Sequence, residues 1–346
     1  MENVVQQNAN APIIIFAGKC DTQSLAGLFP DYNIINIETG AELLKWLAEA
    51  DNFPDLFVID TKTPLAESKP DKLSVQLYGR QLCKTLKIDH RAKETPIILL
   101  VNRELSDEEI VELLEVGAID SVREDQVKTL AHKIGIQVTK RISHKQLLKT
   151  REELVRIIGR AVEYKNTEAA LHVTKTARYA KEIALAYGVD QEECELIYLA
   201  APLHDIGNVI IPAEILYKKG DFTARERKIM KEHTLAGWKL LSGQTPLIIL
   251  AKEIALNHHE RWDGSGYPRG LKAGAIPLAA QIVALADVFE ALTSDRLYRG
   301  KWSVDMATEG IKKSAGVEFD QKIVAAFLKA RPKFLEIHDS FAKRQE

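Results

Sequence analysis

The sequence predicts two domains: an N-terminal α/β doubly wound domain, then a long linking helix and a C-terminal all-α domain. Three observations carry this. Short apolar runs alternate with amphipathic segments over the first third of the chain. Between Val127 and Lys165 there is almost no Gly or Pro, and strand signals vanish after Glu168. At 346 residues the chain is long enough for two ordinary cores.

In the first part, Ile13-Ile14-Ile15-Phe16, Leu56-Phe57-Val58-Ile59 and Ile97-Ile98-Leu99-Leu100 have the length and apolar character of buried parallel strands. Helical patterns lie between them around residues 41–50, 77–86 and 107–116, and the domain ends near Gln126. In the following stretch Leu148, Val155 and Val162 recur at seven, with Leu147, Leu154 and Ile158 beside them. That pattern fits a short coiled-coil seam, and equally the first amphipathic helix of the next domain. Helical periodicity then runs through 169–187, 191–199, 224–241, 246–259, 277–292 and 321–330, with turns at Gly188, Gly220, Gly243 and 264–274. The expected division is 1–128 for the α/β domain, 129–160 for the linking helix and 150–346 for the helical domain.

Apolar residues make up 46% of the chain and charged residues 28%, as in a globular protein. A net charge of −2 gives no electrostatic case for a nucleic-acid polymer, though a local basic pocket for a small anion is compatible with it. The polar start of the chain carries no signal-peptide pattern, and no apolar run approaches the roughly 20 residues that span a bilayer. Cys20, Cys83 and Cys194 are scattered and odd in number, and read as free thiols of a reducing cytoplasm.

The chemistry concentrates in the second part. His204-Asp205 precedes Gly207, His233 lies within a helical pattern, and His258-His259-Glu260-Arg261-Trp262-Asp263-Gly264-Ser265-Gly266-Tyr267-Pro268 closes another. Asp287 interrupts the apolar run Ile282-Val283-Ala284-Leu285-Ala286, and Glu168 and His172 are four apart on one helix face. Paired imidazoles and buried carboxylates are poor core material unless each finds a polar partner. They suit a cluster of metal ions in which a carboxylate bridges and imidazoles cap the outside.

On those residues, 150 to 330 resembles the HD-GYP domain, a subfamily of the HD phosphohydrolases. The match runs through His204-Asp205-Ile206-Gly207, His233, the stretch from His258 to Pro268, and Ala286-Asp287-Val288-Phe289-Glu290-Ala291-Leu292-Thr293-Ser294-Asp295-Arg296. The resemblance implies a metal-dependent phosphodiesterase that hydrolyses cyclic di-GMP to linear pGpG, with a second cut to GMP open, by in-line attack of a bridging hydroxide. It implies metal ligands at His172, His204, Asp205, His233, His258, His259 and Asp287, with Asp205 bridging. Glu168 matches the extra carboxylate of members with three metals, so three divalent ions are expected rather than two, of iron or manganese. Arg296 and Arg299 match phosphate-holding residues, and Gly266, Tyr267 and Pro268 form the signature loop at the pocket mouth.

Residues 11 to 128 resemble a response-regulator receiver domain, with Asp60 at the phospho-accepting position. The supporting chemistry is missing: Ala17-Gly18 stands where the acidic pair belongs, Val101 at the switch hydroxyl and Glu124 at the Lys. A lone carboxylate cannot organise Mg²⁺, so the domain is expected not to take a phosphate but to serve partner contacts. A homodimer through the linking helix is also expected.

Two departures stand out in the second part. Asn208 occupies the place of the usual Lys after His-Asp-x-Gly, and Pro202 lies two residues before His204. Losing that charge predicts slower turnover, and a proline inside a helix would shift His204-Asp205 relative to the other ligands. The competing readings are therefore a catalytically weak metal- and dinucleotide-binding signalling module, and an enzyme for another cyclic dinucleotide such as cyclic GMP-AMP.

Overall fold

Five parallel strands form the frame of the N-terminal part, in a computed structural model that describes residues 3–4, 11–18, 27–50, 52–64, 75–89, 91–162, 169–294 and 302–342. Strands β1 (Asn3–Val4), β2 (Ile13–Ala17), β3 (Asn33–Ile37), β4 (Leu56–Asp60), β5 (Ile97–Val101) and β6 (Asp120–Arg123) pair in the order β1-β3-β2-β4-β5-β6, with only β1 antiparallel. Counted from β2, the parallel strands take the order 2-1-3-4-5 of flavodoxin-like sheets. Ile15 sits opposite Ile35 on one side and Phe57 on the other, so the branched apolar runs lie at the centre of the sheet. Helices α1 (Gly40–Glu49), α2 (Val75–Ile88) and α3 (Asp107–Glu115) cover one face through Leu43, Leu47, Leu82, Leu86 and Leu113. The three apolar runs are strands as expected. The sequence reading omitted β3 and β6, whose patterns are weaker: Asn33 and Asn36 break the first, and Val122 is the one fully buried residue of the second.

At the C-terminal end of β4 the Asp60 carboxylate is buried and accepts the Lys62 backbone N–H at 2.8 Å. Burial pushes this carboxyl above its usual range, with help from Glu124. The Lys62 ammonium bonds Glu124 at 2.8 Å, and the Thr63 hydroxyl donates to the Ala17 carbonyl at 2.7 Å.

Helix α4 (Val127–Val162) crosses the point, between Lys149 and Thr150, where the chain divides into two compact units. Its first turns are not a free linker. Leu130, Ile134 and Val138 pack on the second face of the sheet with Ile14, Phe16 and Val58. Further along, Val155 enters the core of the second unit while Leu148, one heptad earlier, is exposed, as are Leu147, Leu154 and Ile158, so the residues spaced at seven do not share one seam.

The second unit is helical: α5 (Ala169–Tyr187), α6 (Gln191–Ala200), α7 (Ala213–Leu216), α8 (Ala224–Leu240), α9 (Pro246–Asn257), α10 (Leu278–Thr293), α11 (Val304–Lys313) and α12 (Gln321–Ala342). The nearly all-apolar α10 is its axis, with Ile282, Val283, Leu285 and Phe289 buried. Tyr179, Phe289, Phe327 and Phe334 meet around it with ring centroids 5.1–5.3 Å apart. The helical pattern read from the sequence ends at 330, two residues before Pro332, which lacks an N–H donor. The helix continues because Phe334 and Phe341, beyond the proline, are buried and hold it in place.

Candidate metal centre

Local signals place each histidine. Helix α6 starts at Asp190, whose side chain caps two backbone N–H groups, and ends at Ala200. The chain restarts as a 3-10 turn, Ala201–Leu203, with Pro202 in its first positions, where a missing N–H costs little. Pro202 therefore marks a helix end and disturbs no helix interior, which removes the expected shift of His204-Asp205. A second 3-10 segment, Ile206–Ile210, follows, and Gly207 lets it lie on α8. A Cβ at Gly207 would sit 1.9 Å from the His233 carbonyl oxygen.

Helix α8 opens with a Thr223–Glu226 capping box and delivers His233, while α9 ends at Asn257 and delivers His258 as its cap. The loop after His259 is held by Glu260, a buried carboxylate that accepts the backbone N–H groups of Arg269 at 2.8 Å and Leu271 at 2.9 Å. Only glycine fits at 266, because a Cβ there would meet the Arg261 nitrogen at 2.3 Å. That close turn brings the Tyr267 N–H to the His259 carbonyl at 3.1 Å and stacks the two rings at 4.7 Å. Pro268 follows through a cis peptide bond.

These elements bring two groups of potential ligands together: Asp205, His233, His258 and His259, and beside them His172, His204 and Asp287. Within each group the ligand atoms lie within 4.8 Å of one another. Asp205 Oδ1 is 3.3 Å from His233 Nε2 and 3.4 Å from His258 Nε2, and its Oδ2 is 3.7 Å from His204 Nε2. Asp287 Oδ1 is 3.2 Å from His172 Nε2 and 3.9 Å from His204 Nε2. His204 thus stands between the two carboxylates and joins the groups.

The tautomers decide what this arrangement can hold. Nδ1 of His204 faces the Ala201 carbonyl at 2.8 Å, Nδ1 of His233 the Met230 carbonyl at 2.7 Å, and Nδ1 of His258 the Ile254 carbonyl at 3.1 Å. A carbonyl oxygen only accepts, so each Nδ1 carries a proton and Nε2 is the atom left to face a metal. His172 follows the same rule, with Nδ1 on the Glu290 carboxylate. Burial lowers the imidazoles of His204, His233 and His259, which favours their neutral forms. Burial also lowers His258, but Asp205 outweighs it and leaves that ring raised. For Asp205 burial would raise the carboxyl; His204, His258 and His233 outweigh it and keep the group ionised. Nε2 and carboxylate atoms thus converge: His233 Nε2 faces His258 Nε2 at 3.4 Å, His204 Nε2 and Asp205 Oδ1 have no hydrogen-bond partner, and the carboxylates beside His172 and His258 raise those two rings. Divalent metal ions would take the place of those protons and satisfy the whole set, so the residues fit them.

The cluster opens on a cavity of about 430 Å³ whose wall includes His258, His259, Gly266, Tyr267 and Asp287. Other predicted positions fall elsewhere. Asn208 is buried in the 3-10 segment with its Oδ1 lacking a partner. Glu168, Arg296 and Arg299 lie outside the described residues. The sequence reading missed Glu290, the carboxylate that holds His172, although it lies one turn from Asp287 in the same apolar helix and needs a partner for the same reason. It also missed Arg227 and Lys231, which line the cavity from α8.

Known proteins agree with this geometry. The HD domain family matches residues 142–323. The cyclic di-GMP phosphodiesterase response regulator RpfG of Xanthomonas campestris is 31% identical over 334 residues, covering 90% of this chain and 84% of that protein. A cyclic di-GMP phosphodiesterase of Thermotoga maritima is 32% identical over 335 residues, covering 89% and 86%. The 3'3'-cGAMP-specific phosphodiesterase 2 of Vibrio cholerae is 40% identical over 195 residues, 56% of this chain, which spans 37% of that protein's length. With its family match over the helical part and relatives aligned along nearly the whole chain, this protein belongs to the HD domain family, with a receiver-like domain ahead of it.

Proposed function

We propose that the chain is a metal-dependent phosphodiesterase that opens cyclic di-GMP to linear pGpG, with a second cut to GMP left open. The observation that carries this is the convergence of Nε2 and carboxylate atoms in a cluster that reaches a cavity of about 430 Å³ through His258, His259 and Asp287. Asp205, His233, His258 and His259 would hold one ion and His172, His204 and Asp287 another, with Asp205 the carboxylate near both groups. Iron or manganese suits this imidazole and carboxylate set. Ions bound there supply Lewis acidity to the phosphodiester and make water nucleophilic at neutral pH. The chain's own residues do the rest. Main-chain carbonyls fix the imidazole tautomers, Tyr267 walls the mouth, and Asp205 stays ionised through the cycle. Glu168 adds a third ion, and Arg296 and Arg299 bind the phosphate under attack. The receiver-like domain, residues 1–128, takes no phosphate, because Ala17-Gly18 stands where the acidic pair belongs and Glu124, paired with Lys62, stands where the Lys belongs. It transmits contacts with partner proteins along α4, whose exposed Leu147, Leu154 and Ile158 pair with a second copy. No helix among the described residues is long and apolar enough to cross a membrane, and we place the enzyme in the cytoplasm.

The test is anaerobic turnover of cyclic di-GMP by protein loaded with Fe(II) or Mn(II), with products separated by chromatography. Formation of pGpG or GMP, abolished in Asp205→Ala, supports the reading; no product from protein shown to hold its metals overturns it. One observation favours a second reading. Asn208 brings no charge where the resemblance expects a Lys, as in a weakly catalytic module that binds dinucleotide and acts through partners. The same assay run on cyclic GMP-AMP decides which dinucleotide is preferred.

A further inference from the structure

A cyclic dinucleotide carries two phosphodiesters, and the metal cluster can engage only one in a given cut. The other enters the same cavity fully charged, and an anion leaving water needs cations or donors in place. We propose that Arg227 and Lys231 of α8 form the subsite for this second phosphodiester, an inference that rests on the dinucleotide reading above.

Both residues line the cavity that contains His258, His259 and Asp287. Four apart on one helix, they project from the same face. Neither forms an ion pair among the described residues, and the acidic neighbour Glu226 is already engaged by Lys218 at 2.6 Å. The remaining described cation of the wall, Arg261, is bound to Glu318 at 3.2 Å. Arg227 and Lys231 thus face a cavity whose acidic lining is Asp287 of the cluster, Glu260, held by the Arg269 and Leu271 backbone, and Glu318, held by Arg261.

Position separates this pair from the chemistry. The Lys231 ammonium lies 4.7 Å from the centre of the Tyr267 ring, and that ring stacks on His259 at 4.7 Å. Lys231 is therefore anchored to the aromatic neighbour of the imidazole cluster instead of lying among the imidazoles. An anion held by Lys231 and Arg227 would sit beside the cluster while its twin rests on it. The guanidinium of Arg227 supplies a planar fork and Lys231 a point charge, two complementary ways to hold one phosphodiester.

The test uses the full-length, metal-loaded protein and two probes. The first is a bis-phosphorothioate analogue of cyclic di-GMP that resists cleavage, whose Kd is read by fluorescence competition. The second is bis(p-nitrophenyl) phosphate, which has a single phosphodiester. Arg227→Gln and Lys231→Gln should each raise the Kd roughly ten-fold or more, the range of one charge-assisted hydrogen bond. Each should also flatten the salt dependence of binding. The ratio of kcat/KM for cyclic di-GMP over that for the single phosphodiester should fall with them, and Lys231→Arg should restore it. An unchanged Kd, or equal losses on both substrates, would overturn the subsite while leaving the phosphodiesterase intact. Absence of binding by the unaltered protein would sink the dinucleotide reading and this subsite together. Circular dichroism and metal content establish that each variant is folded and loaded.

Discussion

The Glu290 carboxylate holds Nδ1 of His172 while Nε2 of the same ring faces Asp287 at 3.2 Å. The two carboxylates lie three residues apart in α10 and clasp one imidazole from opposite sides. Ser294 and, at 3.9 Å, Lys175 in turn approach Glu290. Removing the support should loosen His172 without removing a ligand. Glu290→Ala is expected to weaken the ion at His172, His204 and Asp287 by roughly 10–100-fold. Glu290→Gln, which keeps an accepting oxygen, should lose less. Metal titration followed by elemental analysis distinguishes the two.

Among the described residues Asp205 is the carboxylate near both halves of the cluster, 3.3 Å from His233 and 3.7 Å from His204. Asp205→Ala should therefore lower metal content in both halves and abolish turnover with the helical circular dichroism signal preserved. Retention of a full metal complement would show that the carboxylate does not bridge.

Asn208→Lys should raise turnover. Restoring one charge-assisted contact in the transition state is worth at most about 10²–10³ in rate, by analogy with a single oxyanion donor. The measurement is kcat with metal content held equal; an unchanged kcat would mean that the charge is supplied elsewhere.

Gly207→Ala tests the packing that carries His204-Asp205. Its Cβ would lie 1.9 Å from the His233 carbonyl oxygen and 2.6 Å from the Gly237 nitrogen, so the 3-10 segment must move off α8. Such overpacking costs about 1–3 kcal/mol. Thermal unfolding should show the loss, and metal affinity should fall with it because His233 shares the contact.

Glu226 gives a pH signature. Its hydrogen bonds from Lys218 and the Thr223 cap hold the carboxyl at about 2, below the ordinary 4.5. A group with a depressed folded value stabilises the protein above its unfolded value, and that contribution disappears as pH falls through the folded one. Glu226→Gln should thus lower Tm at pH 7, and the gap from the unaltered protein should close between pH 4.5 and 2.

Much of the fold and site could be read from the chain, and for particular reasons. Ile13–Ala17 and Leu56–Asp60 are legible because central parallel strands are apolar on both faces. Asn33–Ile37 is not, since two asparagines interrupt it and only its neighbours make it a strand. His204-Asp205 and His258-His259 are conspicuous because adjacent polar groups cannot both be satisfied in a core without an outside partner. Glu290 escapes because it meets His172 across 118 residues of chain. Arg227 and Lys231 resemble any exposed helix charges until the cavity is seen beside them. On α4 the pattern at seven divides: Val155 enters the second unit's core, while Leu147, Leu154 and Ile158 stay exposed.

His204, His233 and His258 each bond a carbonyl three or four residues earlier in their own segment. These contacts need no partner from elsewhere in the chain, so ring orientation is acquired with the local helical turn and not with the ion. A metal arriving at the folded protein would meet a cage already assembled and lose little rotamer freedom in closing it. Stripping the ions with a chelator should then be a reversible exchange, leaving a vacant but correctly shaped receptacle instead of an unravelled one.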